Sequence, residues 1–519
     1  MRTPTALLIL MLLWTACAVW PGASEPAKLA GLLVGAALLG ASAAATSPPR
    51  ALLVWLAVSA LSAVCALDGS SWLGSYARAQ GWLALPALGI VAMSAARLGP
   101  DQRRMLRIAI AVLATLLAGY ALLQRLGLDP IQWVGAAPLR PAATLSNANV
   151  LAGWLVLAAP ITALCAWTER RLRALAAAAL LLQLAGLWAS GTRSGMLALL
   201  LAAMLVWAWP SARRLWALAL ALPLALALAI AARPASVQDR LQLWSAGAQA
   251  VVAAPLVDLR GQIDPLAAWR LWIGYGPDQQ AAPLQRALAQ QPRRDGAQDW
   301  QADRAHQGLL DLLLQYGVLG LLAAMAVLLS VARALWQRRG EPEGLALAAA
   351  LLAWLVHLQA GFPLTADRTL AWLLIGCALA TTPSPKPARW GALAALVLLL
   401  AAAALSGRLP SARAYPALAA ERAYLDGQQR YAAAMQRREH VAQAYNEAAQ
   451  AFVAGLQFRP YDRDAALAAA SAYAESAAHG DAAAAAAARE LLQRAAALDA
   501  SDPRLAAIRA RLRGVDSRD

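Results

Sequence analysis

Two histidines are the side chains of this chain best suited to proton transfer. His306 follows Asp303 and Arg304 directly before an apolar run, and His357 lies inside another apolar run. Histidine changes its protonation state near neutral pH, so it can accept or release a proton during a reaction. An ionisable group within an apolar run is a functional candidate by default. The alternative for His306 is a hydrogen-bonded interfacial residue, and for His357 a packing or supporting role.

Arginines in short polar segments are the second group that could carry chemistry. Arg78 ends the segment Gly-Ser-Tyr-x-Arg, Arg140 lies shortly before residue 144, and Arg193 stands in Gly-Thr-Arg-Ser-Gly between two apolar runs. A guanidinium group matches the geometry of phosphate with two parallel hydrogen bonds. Any one of them could instead reach towards lipid head groups. Several on one membrane face favour a phosphate or pyrophosphate site.

The segment at 144–149 carries further polar side chains that could support such a site. It reads Thr-x-x-Asn-x-Asn, with Asn147 and Asn149 immediately before an apolar run. Carboxylates that could act as a general base on the same face are Asp68, Asp264, Asp278, Asp303 and Asp367, and Asp303 is nearest to the histidine motif. The sequence contains neither a Gly-rich phosphate loop nor a His-Glu-x-x-His motif. We therefore expect positioned charge, without a metal or a cofactor, to carry the chemistry.

The composition predicts a membrane protein that positions these residues. Of the 519 residues, 60% are hydrophobic and 14% are charged, whereas soluble chains carry about 25% charged residues. The apolar residues form runs of the length that crosses a bilayer. The four cysteines lie inside such runs, so they predict neither a disulfide framework nor a metal site. The net charge of +16 is dispersed over short loops, which argues against a nucleic-acid partner.

The apolar runs predict an all-α polytopic protein with about 12–13 transmembrane helices. The first run could instead be a signal sequence, but no clean small-x-small cleavage site follows, which favours an uncleaved helix. The predicted spans are 5–20, 29–45, 51–67, 82–97, 107–123, 150–167, 173–189, 194–209, 214–232, 308–332, 343–360, 368–381 and 390–406.

The basic residues predict the orientation of these spans. With the amino terminus in the cytoplasm, every short basic cluster falls in a cytoplasmic loop, as the positive-inside rule requires. The motifs at Arg78, Arg140, Arg193 and His306 then lie in extracytoplasmic loops. The cytoplasmic clusters are formed by Arg50, Arg103, Arg104, Arg107, Arg170, Arg171, Arg173, Arg213, Arg214, Arg333, Arg338, Arg339, Lys386 and Arg389.

Two segments are predicted to lie outside the membrane. Residues 1–406 form the transmembrane domain, which includes a long extracytoplasmic loop at 233–307. Residues 407–519 form a soluble, alanine-rich helical tail on the same side, where Pro503 is expected to open a helix. Two similar joints about 43 residues apart resemble degenerate tetratricopeptide-like pairs. A plain helical bundle is the alternative.

The order of these motifs resembles the bacterial O-antigen ligase and polymerase family. The similar segments are 74–78, 144–149 and 191–195, then 240–244, Gly-Tyr-Gly at 274–276, 303–306, and Gly-Val-Leu-Gly at 317–320. The segment around His357, with Phe362 and Asp367, resembles members that carry a tetratricopeptide-like tail. The resemblance covers roughly residues 65–380 and the tail.

The resemblance implies a metal-independent, inverting glycosyl transfer at the outer face of the cytoplasmic membrane. The donor would be a glycan linked through pyrophosphate to a polyprenol, and the acceptor lipid A-core, another glycan or a protein side chain. His306 would be the catalytic base, and Arg193, Arg140 and Arg78 would bind the pyrophosphate. Asn147, Asn149, Asp303, Arg304 and His357 would support the site, and the tail could recruit a protein partner.

The sequence departs from the family pattern on the acceptor side. Gln307 follows His306 where the family usually has asparagine, and Ala148 replaces a proline between the two asparagines. Phe362 and Asp367 are separated, where the family has an adjacent pair. Two other functions therefore stay open. One is a membrane scaffold without catalysis, and the other is a transporter of a lipid-linked glycan, which would show internal repeats and mid-span charges.

Overall fold

A computed structural model describes most of the chain as α-helices. The described residues are 3–18, 24–41, 48–67, 69–75, 78–131, 140–208, 234–252, 263–291, 302–380, 416–437, 439–457, 462–498 and 502–516. The helices are α1 (Thr3–Cys17), α2 (Ser24–Ala41), α3 (Arg50–Val64), α4 (Ala84–Ala95), α5 (Pro100–Arg125), α6 (Ala148–Thr168), α7 (Arg173–Ala189), α8 (Arg193–Ala208), α9 (Pro234–Val252), α10 (Arg270–Ile273), α11 (Ala281–Ala289), α12 (Gly308–Gln337), α13 (Pro342–Leu358), α14 (Thr365–Ala378), α15 (Pro416–Ala434), α16 (Val441–Leu456), α17 (Arg463–Ala478), α18 (Ala482–Leu498) and α19 (Pro503–Asp516).

The all-α, polytopic fold predicted from the sequence is confirmed. Of the thirteen predicted spans, those at 214–232 and 390–406 lie outside the described residues, and the other eleven each coincide with a helix. Four segments, α5, α6, residues 170–189 and α12, are long and apolar enough to cross a membrane. Shorter apolar helices, including α1, α3, α4, α8 and α13, surround them. The length of apolar runs therefore predicted the helices well.

Helix α6 is the centre of the bundle. Of its most apolar stretch, 78% is buried inside the protein, against 28% for α12. It packs against α5, α7, α13 and α14, and the ring of Trp154 is fully buried. The first turn of α6 is consequently held between the helices that carry the remaining polar motifs.

Several of the basic residues assigned to the cytoplasm meet at one end of the bundle, whereas Arg213, Arg214, Lys386 and Arg389 lie outside the described residues. Arg104 pairs with Glu169 at 2.7 Å, and Arg107 and Arg338 pair with Glu343 at 2.8 and 2.9 Å. The motifs with Arg78, Arg140, Arg193 and His306 lie at the opposite end of the same helices, which alternate in direction. The sequence prediction, in which basic clusters and polar motifs occupy alternate loops, also places these two groups at opposite ends of the helices. Which end faces the cytoplasm stays a prediction.

A break in α12 positions the loop that precedes it. Gly317 has φ 64° and ψ −169°, so the helix is interrupted there. The carbonyls of Leu314 and Gln315 instead accept hydrogen bonds from the backbone of Tyr275 and Gly276, at 2.8 and 3.0 Å. The left-handed φ suits glycine, which lacks a Cβ. The Gly-Val-Leu-Gly motif at 317–320 thus begins where the backbone of the loop at 275–276 hydrogen-bonds to α12.

The tail forms a separate group of five helices, α15 to α19. Consecutive helices pack against one another, and α17 also contacts α19. Helix α19 begins at Pro503 directly after Asp502, as the cap pattern predicted. Helix α15 contacts the 3-10 helix Gly69–Trp72, and α18 contacts α11. The repeat character of the tail stays a prediction.

Candidate functional site

The polar motifs converge at one end of the bundle, which we call the polar end. It comprises the segments 69–75, 78–83, 140–147, 190–192, 263–280, 302–307 and 359–364, together with the helix termini that they flank. Hydrogen bonds between residues far apart in the sequence join 302–307 to 78–83, to 359–364 and to Asp278, which also accepts from Ser75. Another joins 140–147 to 190–192, and Arg240 of α9 donates to Ala360 in 359–364. Most of the motifs recognised in the sequence therefore lie at this one end of the bundle.

Arg78 is neutralised by a carboxylate of the histidine motif. Its guanidinium donates to Asp303 at 2.6 Å and lies 4.1 Å from the centre of the Phe362 ring. Burial raises the pKa of Asp303, but the charges of Arg78 and Arg304 outweigh this effect and hold it below its usual value. Arg78 therefore carries less free positive charge for a phosphate than the sequence suggested.

Arg304 is a buried structural arginine. It is 1% exposed, donates to Asp278 at 2.6 Å and donates to Gln80 at 2.8 Å. The backbone and hydroxyl of Ser75 donate to the other oxygen of Asp278 at 2.7 and 2.9 Å. A buried ion pair with these additional hydrogen bonds fixes the loops relative to each other. Arg304 supports the site and does not point into it.

His306 lies beside this ion-paired group with its ring against Phe362. The two ring centres are 4.9 Å apart, and the backbone of His306 has φ 54°. The preceding residue, Ala305, donates its N–H to Asp311 at 2.9 Å, which fixes the turn before α12. Among the described residues, none hydrogen-bonds to a ring nitrogen of His306.

The surroundings of His306 keep its imidazole neutral. Burial lowers its pKa to about 4, the cations Arg78 and Arg240 lower it as well, and Asp303 raises it. A neutral imidazole has a free lone pair and can accept a proton. Gln307, which departs from the family pattern, caps α12 by accepting from the N–H of Leu310 at 2.6 Å. Its amide also donates to Gln359 at 2.9 Å.

Arg140 and Arg193 form a second group, which contains no carboxylate among the described residues. Arg140 donates to the carbonyl of Gly191 at 3.3 Å and to the side chain of Asn149 at 3.1 Å. Gly191 has φ 63°, and Arg193 opens α8 two residues later with an exposed side chain. Arg193 makes no ion pair or hydrogen bond with a described residue. These two arginines therefore have no carboxylate partner among the described residues, whereas Arg78 is paired with Asp303.

The two asparagines have different positions. Asn147 caps α6 by accepting from the N–H of Asn149 at 2.8 Å. Asn149 accepts from Arg140 and, at 3.4 Å, from the hydroxyl of Thr192. Asn149 therefore orients an arginine, and Asn147 stabilises the helix that carries it.

His357 joins the helices that carry these arginines. Its Nε2 lies 2.9 Å from the carbonyl oxygen of Asn149, and its Nδ1 lies 3.1 Å from the hydroxyl of Ser194. A carbonyl oxygen only accepts, so Nε2 must hold the proton and Nδ1 must accept from Ser194. Nearby, Asp367 accepts from Trp354 at 2.9 Å. His357 is thus a connecting residue away from the open part of the site.

Arg240 is a further candidate site residue that the sequence motifs alone did not single out. It lies on α9 and donates to the carbonyl of Ala360 at 2.8 Å, with no carboxylate partner among the described residues. Burial lowers its pKa, and the charge of Arg140 lowers it further, which places the two cations near each other. Its position in the segment 240–244 was noted, but only the fold brings it between Arg140 and His306.

The carboxylates of the polar end are mostly engaged by arginine. Asp264, for example, pairs with Arg270 at 2.7 Å, and both side chains are buried. In the described part of the chain, no group of three or more His, Cys, Asp or Glu residues could hold a metal ion. Asp68, another carboxylate considered in the sequence, lies outside the described residues.

These features define a polytopic helical membrane protein with a cationic site at one end of its bundle. The model of the O-antigen ligase family matches residues 178–325, a segment that includes Arg193, Arg240 and His306. This segment is therefore similar to the O-antigen ligase family, and the similarity supports a general role as a membrane glycan ligase or polymerase. A search of the curated proteins finds no match to the chain.

Proposed function

We propose that the protein transfers a glycan from a polyprenyl-pyrophosphate carrier, such as undecaprenyl pyrophosphate, to an acceptor hydroxyl. The observation that supports this most directly is the group of Arg140, Arg193 and Arg240, which have no carboxylate partner among the described residues, beside the neutral His306. Three free cations suit a diphosphate ester. A neutral imidazole next to them suits the deprotonation of a nucleophile.

The site divides into a donor side and a base side. Arg140, Arg193 and Arg240 would bind the two phosphates and stabilise the charge that grows on them when the sugar leaves. On the base side, Asp303 is already paired with Arg78. The net positive charge therefore lies where the leaving group is expected, and the base side is close to neutral.

The proposed reaction needs one proton transfer and one displacement. His306 takes the proton of the acceptor hydroxyl while that oxygen attacks the anomeric carbon. The bond from the anomeric carbon to the phosphate oxygen breaks, and both of its electrons leave with the pyrophosphate. Attack from the face opposite the leaving group inverts the configuration. Because pyrophosphate is a good leaving group, charge stabilisation and orientation supply most of the catalysis.

We place this site on the outer face of the cytoplasmic (inner) membrane. The positive-inside rule puts the amino terminus in the cytoplasm and both the long loop and the tail outside. Acceptors compatible with that face are lipid A-core, another lipid-linked glycan or a protein side chain, with membrane lipids around the bundle. The division of the chain into a transmembrane domain, residues 1–406, and a helical tail, residues 407–519, is part of the same proposal.

Surface polysaccharide in a deletion strain tests the proposal. Wild type should restore the polymer, and His306→Ala or Arg193→Ala should not, although each protein is present in the membrane at the wild-type level. Single units accumulating on the carrier would indicate a polymerase, and unattached long chains would indicate a ligase. Full complementation by His306→Ala would overturn the catalytic assignment and favour a scaffold. Carrier-linked glycan trapped on the cytoplasmic side would favour a transporter.

A further inference from the structure

The helical tail contains a cavity that the proposed reaction does not use. Its volume is about 540 Å³, and it lies between α15, α16, α17 and α19. The lining positions on α15 are Tyr424, Gln428 and Tyr431, an i, i+4, i+7 spacing that places them on one helix face. Positions on α17 and α19 follow the same spacing. This size is within the range of about 300–1,000 Å³ that small-molecule sites occupy.

Aromatic rings form one wall of the cavity. Tyr424 and Tyr431 are half-buried, and Tyr424 packs edge-to-face on Phe452 with ring centres 5.4 Å apart. Gly427 permits this packing, because a Cβ there would lie 2.7 Å from the Phe452 ring. Half-buried tyrosines offer an apolar ring together with a polar hydroxyl. Such a wall suits a ligand that also has apolar and polar faces.

The charged groups around the cavity are paired with each other. Arg504 pairs with Asp464 at 2.8 Å and with Asp502 at 2.7 Å, and Arg511 pairs with Glu475 at 2.6 Å. Arg463 adds a third cation 3.5 Å from Asp502. Arg504, Arg511 and Asp464 line the cavity itself. Together with their neighbours Arg463, Asp502 and Glu475 they make three arginines and three carboxylates, with a net formal charge of zero. The wall can hydrogen-bond to hydroxyls, but it has no excess charge for an acidic or basic peptide.

The cavity lies beside the polar end of the membrane bundle. Helix α15, which carries the two tyrosines, contacts the 3-10 helix Gly69–Trp72. That helix is followed by Ser75, whose hydroxyl binds Asp278 in the site. Helix α18 contacts α11 of the long loop. The tail therefore contacts both the polar end and the long loop.

We propose that this cavity is a binding subsite for uncharged sugar residues of the transferred glycan. This rests on the proposed function for the identity of the glycan. Sugar rings have apolar C–H faces that pack on the tyrosines and hydroxyl edges that bind the paired charges and Gln428. The subsite holds the glycan away from the reacting carbon and raises its local concentration at the polar end.

Equilibrium binding to the full-length protein in detergent tests the subsite. The probe is the surface glycan of the source organism, released from its lipid by mild acid and cut to short oligosaccharides. Wild type should bind it, and Tyr424→Ala should bind about three- to tenfold more weakly, the size expected for loss of one aromatic contact. Tyr424→Phe keeps the ring and should bind like wild type. Arg430→Ala, which removes an exposed cation outside the cavity lining on α15, is the matched control.

Further variants separate this inference from the proposed reaction. His306→Ala should bind the probe normally while failing to transfer, so loss of transfer alone leaves the subsite standing. Absence of binding by wild type, or equal binding by wild type and Tyr424→Ala, would overturn the inference. Binding of a panel of neutral peptides in place of the oligosaccharide would overturn it as well. Circular dichroism of each variant establishes that the tail is folded.

Discussion

Replacement of Arg193 by alanine should weaken donor use without destabilising the protein. Arg193 is exposed and makes no ion pair with a described residue, so its removal leaves no buried charge unpaired. Exposed substitutions of this kind usually change stability by less than about 0.5 kcal/mol. A hydrogen bond to a charged group contributes about 1.5–3 kcal/mol. Loss of one such contact to pyrophosphate therefore lowers kcat/KM by roughly 10- to 150-fold.

The assay for Arg193 is transfer from a polyprenyl-pyrophosphate-linked glycan in proteoliposomes at a series of donor concentrations. Arg193→Lys retains the charge and loses the planar fork, so it should give an intermediate loss. Arg125→Ala removes an exposed arginine at the same end of the bundle but outside the cluster, and it should be neutral. An unchanged kcat/KM in Arg193→Ala would refute the reasoning, and so would an equal loss in Arg125→Ala.

Three further predictions follow from the geometry. Asp278→Asn leaves the buried Arg304 without its carboxylate and should destabilise the protein by about 3–5 kcal/mol. The control Asp426→Asn, in an exposed ion pair, should destabilise it by less than about 1 kcal/mol. Thermal unfolding in detergent measures both variants, and equal melting temperatures would contradict the buried ion pair. Because burial lowers the pKa of His306 to about 4, kcat/KM should stay constant as the pH falls from 8 towards 5. It should decline only below pH 5, as His306 becomes protonated. A decline centred near pH 6.5 would show that the imidazole is not desolvated. Gly317→Ala places a Cβ against the backbone of Trp272 at a φ of 64°, so it should strongly reduce the yield of folded protein. The control Gly340→Ala, whose Cβ has nothing within 4 Å, should not reduce it. Size-exclusion chromatography of the expressed variants measures both yields, and equal yields would contradict the prediction.

The helices were predictable because their cause is local. An apolar run of sufficient length has to bury its backbone polar groups within the run, and only a helix does so in lipid. Breaks at Pro100 and Pro342 coincide with the start of α5 and α13. The interruption at Gly317 was not predictable in the same way, since it depends on a loop from residue 274 that adds hydrogen bonds to the helix.

Only some of the residues that form the candidate site were predictable from the sequence. Single motifs pointed to Arg140, Arg193 and His306, because arginines in loops predicted to be extracytoplasmic run against the positive-inside rule and histidine suits proton transfer. The pairing of Arg78 with Asp303 joins residues more than 200 positions apart, and no local signal reports it. Arg240 was missed for a similar reason, because its lack of a carboxylate partner is a property of the fold.

Binding and transfer measured on the same variants test the central claim most directly. The claim is that Arg140, Arg193 and Arg240 bind the pyrophosphate and His306 accepts the proton. For His306→Gln, the Kd for undecaprenyl pyrophosphate should stay within about twofold of wild type, while single-turnover transfer slows by about 10²- to 10⁴-fold. For Arg240→Gln, the Kd should rise by about tenfold or more. Wild-type transfer by His306→Gln, or an unchanged Kd in Arg240→Gln, would contradict the account.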